Sequence, residues 1–199
     1  MNGVMILMPA AGASTRMGGR DKLLEPVDGE ALLRRQARAA LRSGATVLVT
    51  LPRRAGGPRA EALEGLSGFR TAYVKADEGM AASLRCGAAT ARAERAAGLM
   101  VALPDMPEIE TADISALIDS FSETPDICLR AAAEDGRPGH PVIFPARLLP
   151  ALEGVAGDVG GRDVLEGEDV RAVPLQGARA LTDLDTPEAW ASWREKTGL

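Results

Sequence analysis

The apolar run over residues 4–9, Val4-Met5-Ile6-Leu7-Met8-Pro9, predicts a buried strand. From Glu30 to Arg42 the spacing changes. Leu32, Leu33, Gln36, Ala37, Ala40 and Leu41 recur every three or four residues, and Gly44 closes the helix they predict. Thr46–Leu51 is a β-branched run ended by Pro52, and Thr71–Lys75 predicts a third strand. Between them, residues 53–70 are rich in Gly, Arg and Ala, with a short helix expected near Glu61–Leu66. Ala81–Ala97 has the composition of a long helix, and Leu99–Leu103 predicts a fourth strand ended by Pro104. Strands and helices that alternate in this way imply a parallel sheet covered on both faces.

The second half is less regular. Thr111–Phe121 predicts a helix, and Asp126–Arg130 and Pro141–Phe144 predict two strands around the turn-rich stretch 134–139. A short helix follows over Leu148–Glu153, then a glycine loop over 157–162, then a last strand over Val170–Leu175. Thr186-Pro187-Glu188 is a helix start, with Thr as cap, Pro at the first helical position and acid in the first turn. The expected fold is α/β, a Rossmann-like three-layer sandwich with a mostly parallel central sheet. No repeat or linker divides the chain, so residues 1–199 are expected to form one domain.

Composition narrows the class. A chain of 199 residues can bury a substantial core, and 46% hydrophobic with 26% charged residues is ordinary for a globular protein. A net charge of −5 with dispersed cations argues against a nucleic-acid partner. The two cysteines, Cys86 and Cys128, are far apart and fit core packing as reduced thiols. The first apolar run is short and lacks a basic leader, and no stretch approaches the roughly 18 apolar residues of a membrane span. A cytoplasmic protein is expected, with no membrane partner.

Chemistry concentrates after the first strand. Ala10-Ala11-Gly12-Ala13-Ser14-Thr15-Arg16-Met17-Gly18-Gly19-Arg20-Asp21-Lys22 is a small-residue loop carrying two cations, Arg16 and Lys22. Such a loop exposes backbone N–H groups to anionic oxygens, so a phosphate chain is the expected guest rather than an ordinary surface turn. The spacing matches neither a Walker A loop nor Gly-x-Gly-x-x-Gly. Asp105, held between Pro104 and Pro107, stands just after the fourth strand, where ligands of an open parallel sheet collect. A carboxylate opposite a phosphate loop calls for a cation between them, and Mg²⁺ takes one or two carboxylates plus phosphate oxygens. The plainer alternative is a helix cap. Asp183 and Asp185, two apart, would share a face of an extended segment and point at one cation; if the segment turns before the helix, one would ligate and the other brace the loop. His140, the only histidine, reads as a loop residue touching substrate or solvent. Met80 and Ser83 stand at a helix entrance, where they either admit a flat ligand or cap the helix.

The loop 10–18 with Asp21-Lys22-Leu23-Leu24 resembles the signature of the MobA-like nucleotidyltransferases. Further matches are Gly79–Gly87, Pro104-Asp105-Met106-Pro107, Gly139-His140-Pro141-Val142-Ile143-Phe144, Gly157–Arg162 and Asp183–Glu188. Within the family the set is most similar to molybdenum cofactor cytidylyltransferases, because guanylyl-transferring relatives tend to carry Ala-Gly-Gly where this chain has Ala10-Ala11-Gly12. Pro9 stands where the family usually has leucine and should shorten the first strand's pairing. The resemblance implies Mg²⁺-dependent transfer of CMP from CTP to the terminal phosphate of molybdopterin, with release of pyrophosphate. It places Ala10, Ala11, Gly12, Ala13, Ser14, Met80 and Ser83 around the nucleotide, with Ser83 at the base. Arg16 and Lys22 fall on the triphosphate and, with Asp105, serve catalysis. It gives the metal to Asp105, with Asp183 or Asp185 completing the site, and the acceptor to Gly139, His140, Pro141, Asp158, Gly160 and Arg162. A molybdoenzyme or its maturation chaperone is the implied protein partner. Guanylyl transfer, transfer to another small phosphate, a non-catalytic molybdenum cofactor carrier and a nicotinamide oxidoreductase are the alternatives.

Overall fold

The computed structural model describes residues 2–53, 57–157 and 160–199. The strands are β1 (Asn2–Pro9), β2 (Pro26–Val27), β3 (Glu30–Ala31), β4 (Thr46–Pro52), β5 (Phe69–Val74), β6 (Ala96–Val101), β7 (Cys128–Ala132), β8 (Pro138–Pro145) and β9 (Val170–Pro174). The helices are α1 (Leu32–Arg42), α2 (Pro58–Ala62), α3 (Gly79–Ala93), α4 (Thr111–Glu123), α5 (Leu149–Glu153), α6 (Arg162–Leu165) and α7 (Pro187–Thr197). Seven strands form one sheet in the order β5-β4-β1-β6-β8-β7-β9, and β2–β3 is a separate small hairpin. Pairing is parallel except where β8 runs against β6 and β7.

Alternation along β1 builds both cores. Val4, Ile6 and Met8 face α1 and α4, joining Leu33, Ala37, Ile114 and Phe121. Met5 and Leu7 face α3 and α5, joining Leu84, Ala88, Leu149 and Leu152. Every β1 side chain from Val4 to Met8 is buried, as a continuous apolar run requires. The α3 face is made of small residues because the helix lies almost on β1. A Cβ at Gly87 would come within 2.7 Å of Leu7 Cδ2. That closeness brings the start of α3 beside the loop that leaves β1. Cys128 is fully buried in β7 and Cys86 half-buried on α3, both as free thiols.

Several boundaries moved. The short helix begins at Pro58 rather than Glu61, because Pro58 fits a first helical turn. The third strand is Phe69–Val74, and α3 stops at Ala93, leaving Ala96–Leu99 to strand β6. Pro9 does not shorten the pairing with β4: it pairs with Thr50, and the Ala10 N–H donates to the Thr50 carbonyl at 2.9 Å. Bonding direction alternates along a strand, so the missing N–H of Pro9 faces β6, where the ladder ends at Ala102 N to Leu7 O. The sheet therefore opens between β1 and β6 at their carboxyl ends. That is also where strand order reverses, the crevice in which ligands of such sheets bind. Among the described residues no helix is long and apolar enough to cross a membrane.

Candidate active site

The loop leaving β1 is shaped by its own backbone and by one buried side chain. Ser14 sits in the left-handed region at φ 50°, and Gly18 at φ 61°; the turn closes through Met17 N to Ser14 O at 3.0 Å. Gly12 has no such constraint. A Cβ there would meet no protein atom within 4 Å, so the fold does not demand glycine; the open side of its backbone faces the crevice. Met17 anchors the loop in a third small core with Val27, Leu32, Leu184, Trp190 and Trp193. The tryptophans belong to α7, and the Trp193 indole donates to Glu108 Oε1 at 2.9 Å.

Arg59, from α2, braces the same loop from behind. It is 8% exposed and donates Nη1 to the Ala10 carbonyl at 2.7 Å. Its Nε and Nη2 hold the two Asp21 carboxylate oxygens at 2.7 and 2.8 Å, and Nη2 also reaches Ser14 Oγ at 3.1 Å. Asp21 in turn accepts from the Leu23 N–H at 3.0 Å. Sequence reasoning missed Arg59, because it falls in the Gly/Arg/Ala-rich stretch. The available signal was a proline at the first position of a short helix, directly followed by an arginine.

The cavity beneath the loop is about 200 Å³. Gly12, Ala13 and Ser14 line it with Arg16, Lys22 and Arg59, and opposite them stand Gly79, Met80, Ser83, Asp105 and Asp185. Lys22 Nζ pairs with both Asp105 and Asp185, and Arg16 Nη2 reaches Asp185 Oδ2 at 2.6 Å. Burial alone would lower the Lys22 pKa, but the Asp105 and Asp185 carboxylates outweigh it and hold it above its ordinary value. The Leu184 N–H donates to the Asp105 carbonyl at 3.1 Å, which joins the two aspartate segments.

Of the residues expected at the metal, Asp105 and Asp185 meet at Lys22. Among the described residues no three His, Cys, Asp or Glu side chains converge closely enough to hold a metal ion. Residues 182–185 lie outside any strand, and Asp183 is near enough to Asp185 and Asp105 to feel their charge while being more open to solvent than either. Burial, then the charges of Asp185 and Asp105, raises the Asp183 pKa. Repulsion between these carboxylates is answered by Lys22, which stands where a cation would. A pair of carboxylates still fits a hard cation. Asp105 Oδ1 is buried with no hydrogen-bond partner, a donor atom left unspent.

Ser83 lines the cavity from α3, but its side chain is buried and Thr50 donates to its Oγ at 2.8 Å. Ala10 is fully buried and Ala11 nearly so. Ala11 lines a neighbouring cavity of about 300 Å³ with Pro52, Pro58 and Tyr73. Met80 and Leu103 form the partition to a third cavity of about 560 Å³, which His140, Gly160 and Arg162 line. The residues expected at the acceptor are placed differently from one another. His140 is not on a loop but on β8, half-buried; burial first, then the Arg130 charge, lowers its pKa from 6.5 to about 4. Gly139 and Pro141 point away, as strand alternation dictates. A Cβ at Gly139 would run into the Ala180 carbonyl, so that glycine serves packing. Asp158 lies outside the described residues.

Residues 6–173 match the family model of the MobA-like NTP transferase domain. The chain is 26% identical over 195 residues to the purine catabolism protein PucB of Bacillus subtilis (strain 168), covering 91% of each. It resembles the crystal structure of Rv0371c from Mycobacterium tuberculosis H37Rv with 28% identity and a TM-score of 0.82, covering 98% of this chain and 99% of that one. The manganese complex of the same mycobacterial protein superposes with a TM-score of 0.79 at 26% identity, covering 98% of each chain.

Proposed function

The chain belongs to the MobA-like NTP transferase family and is a nucleotidyltransferase of that type; from that premise we propose that it moves CMP from CTP to the terminal phosphate of molybdopterin, releasing pyrophosphate. The observation that carries this reading is the convergence of Lys22, Arg16, Asp105 and Asp185 under the open backbone of Gly12. Ala11 beside Gly12, in place of a second glycine, supports a pyrimidine nucleotide. The Ser83 hydroxyl, hydrogen-bonded to Thr50 and lining the cavity, is the polar group offered to a base.

The acceptor is a phosphate monoester whose second pKa near ~6 leaves it mostly ionised at neutral pH, so it needs no base. One of its oxygens attacks the α-phosphorus. The bond from that phosphorus to the bridging oxygen breaks, and the electron pair leaves with pyrophosphate. Arg16 and Lys22 move from the carboxylates to the triphosphate and stabilise charge on the leaving group. Asp105 and Asp185 would hold a divalent cation, Mg²⁺ or the Mn²⁺ seen with the mycobacterial relative, with Asp183 adding negative charge nearby. When bound, that cation supplies charge neutralisation at the phosphates. Gly160 and Arg162 face the acceptor, and His140, neutral above about pH 4, offers it hydrogen bonds rather than charge. A cytoplasmic setting and a molybdoenzyme or its maturation chaperone as recipient complete the proposal.

A panel of the four nucleoside triphosphates with purified molybdopterin, with and without its molybdenum, tests it through pyrophosphate release. Release confined to CTP and molybdopterin supports the reading. Release with GTP instead moves the enzyme to guanylyl transfer, and cofactor binding without any release makes it a carrier.

A further inference from the structure

The third cavity has an apolar wall from Leu84, Val142 and Phe144, and a polar side from Arg130, His140 and Arg162. Arg130 stands on β7. Its Nε donates to the Gly139 carbonyl at 2.9 Å, which fixes the plane of the guanidinium. Its remaining N–H groups have no partner among the described residues, and neither Arg130 nor Arg162 makes an ion pair there, although Glu166 also lines the cavity. Arg130 is half-buried. Burial, then the Arg162 charge, lowers its pKa. A guanidinium that is oriented, partly desolvated and unpaired is costly to the free protein and well prepared for a planar bidentate anion. The cavity shares Met80 and Leu103 with the crevice, so the two adjoin there.

We propose that Arg130 grips the attacking phosphate of the acceptor, with Arg162 as second cation, and that the cavity takes a phosphate monoester with a flat or apolar body. The inference rests on the nucleotidyl-transfer reading for the word acceptor, but not on which nucleotide is used. The apolar wall accommodates the ring, and the arginines set the phosphate toward the α-phosphorus.

Calorimetric titration of the full chain with phenyl phosphate tests it without any nucleotide. Wild type should bind. Arg130→Ala should raise Kd about 10- to 150-fold, the loss expected of charge-assisted hydrogen bonds. Arg130→Lys should recover part of it, because the charge returns without the fork, and it serves as the check if the alanine variant folds poorly. Lys22→Ala should bind as wild type does, which separates this cavity from the triphosphate cradle. Wild type that ignores phenyl phosphate, Arg130→Ala that binds it normally, or loss confined to Lys22→Ala overturns the proposal. With molybdopterin and CTP, Arg130→Ala should raise the acceptor KM and leave the CTP KM unchanged. A failed nucleotide panel would sink the cytidylyl reading while leaving the phenyl phosphate titration intact.

Discussion

Replacing Arg59 by alanine tests whether the phosphate loop is held from behind. The guanidinium is 9% exposed and its partner Asp21 27% exposed, so the pair is mostly, not fully, shielded. Removing one partner of a fully buried pair costs about 3–5 kcal/mol, and the exposure of Asp21 brings the expectation to about 2–3 kcal/mol. For a domain of this size each kcal/mol moves Tm by roughly 2–4 °C, so a fall of about 4–12 °C follows. Beyond stability, Ala10, Ser14 and Asp21 lose the group that fixes them to one another, so the nucleotide KM should rise more than kcat falls. Arg59→Lys keeps the charge but cannot span both Asp21 oxygens and the Ala10 carbonyl, so it should recover less than half of either effect. Calorimetry, urea unfolding with unchanged m-value, and steady-state kinetics read the three quantities. An Arg59→Ala protein that melts within about 1 °C of wild type with an unchanged nucleotide KM refutes the brace.

Lys22→Ala should lower kcat/KM about 10- to 150-fold with the fold intact, the worth of hydrogen bonds to charged groups of roughly 1.5–3 kcal/mol; wild-type turnover would remove Lys22 from the triphosphate. Mn²⁺ at 100-fold over its Kd should stabilise wild type by about 2.7 kcal/mol and Asp105→Asn far less; equal thermal shifts would take Asp105 out of the metal site. His140 is neutral in the folded protein down to about pH 4 but titrates at its ordinary 6.5 when unfolded. The unfolded chain therefore binds the proton first. The stabilisation is complete above pH 6.5 and is lost as pH falls toward 4, with a slope of at most about 1.4 kcal/mol per pH unit. Urea unfolding across that window should show His140→Gln losing this slope, and parallel curves for the two proteins would contradict the assignment.

Much of the sheet was legible because its signal is local. β1 and β4 are bulky apolar runs ended by Pro9 and Pro52, and α1 carries a full helical period. The β2–β3 hairpin was not, since two-residue strands carry too few side chains for a period to appear, and the five-residue α2 was legible only as a short helix near Glu61–Leu66, not in its start at Pro58. The site divides along the same line. Gly12, Lys22 and Asp105 stand out in sequence because a small-residue loop, its cation and a proline-flanked acid are each unusual neighbours. The direct pairing of Lys22 with Asp105 does not stand out: it depends on a β1–β6 opening that no short window contains. Arg59 and Arg130 reach the site across 38 and 9 residues of chain to Asp21 and Gly139, and only the fold brings those contacts together.

The small core that holds Met17 has a consequence for synthesis. The ribosome works from the amino terminus, and the strands of the main sheet are complete once Pro174 has emerged. Leu184, Asp185, Trp190 and Trp193 come later, yet they supply the anchor of the phosphate loop and one of the carboxylates that hold Lys22. A nascent chain can therefore own a nearly finished scaffold while its catalytic pocket is still open on one side. The loop after β1 gains its anchor last, when the α7 tryptophans close over Met17.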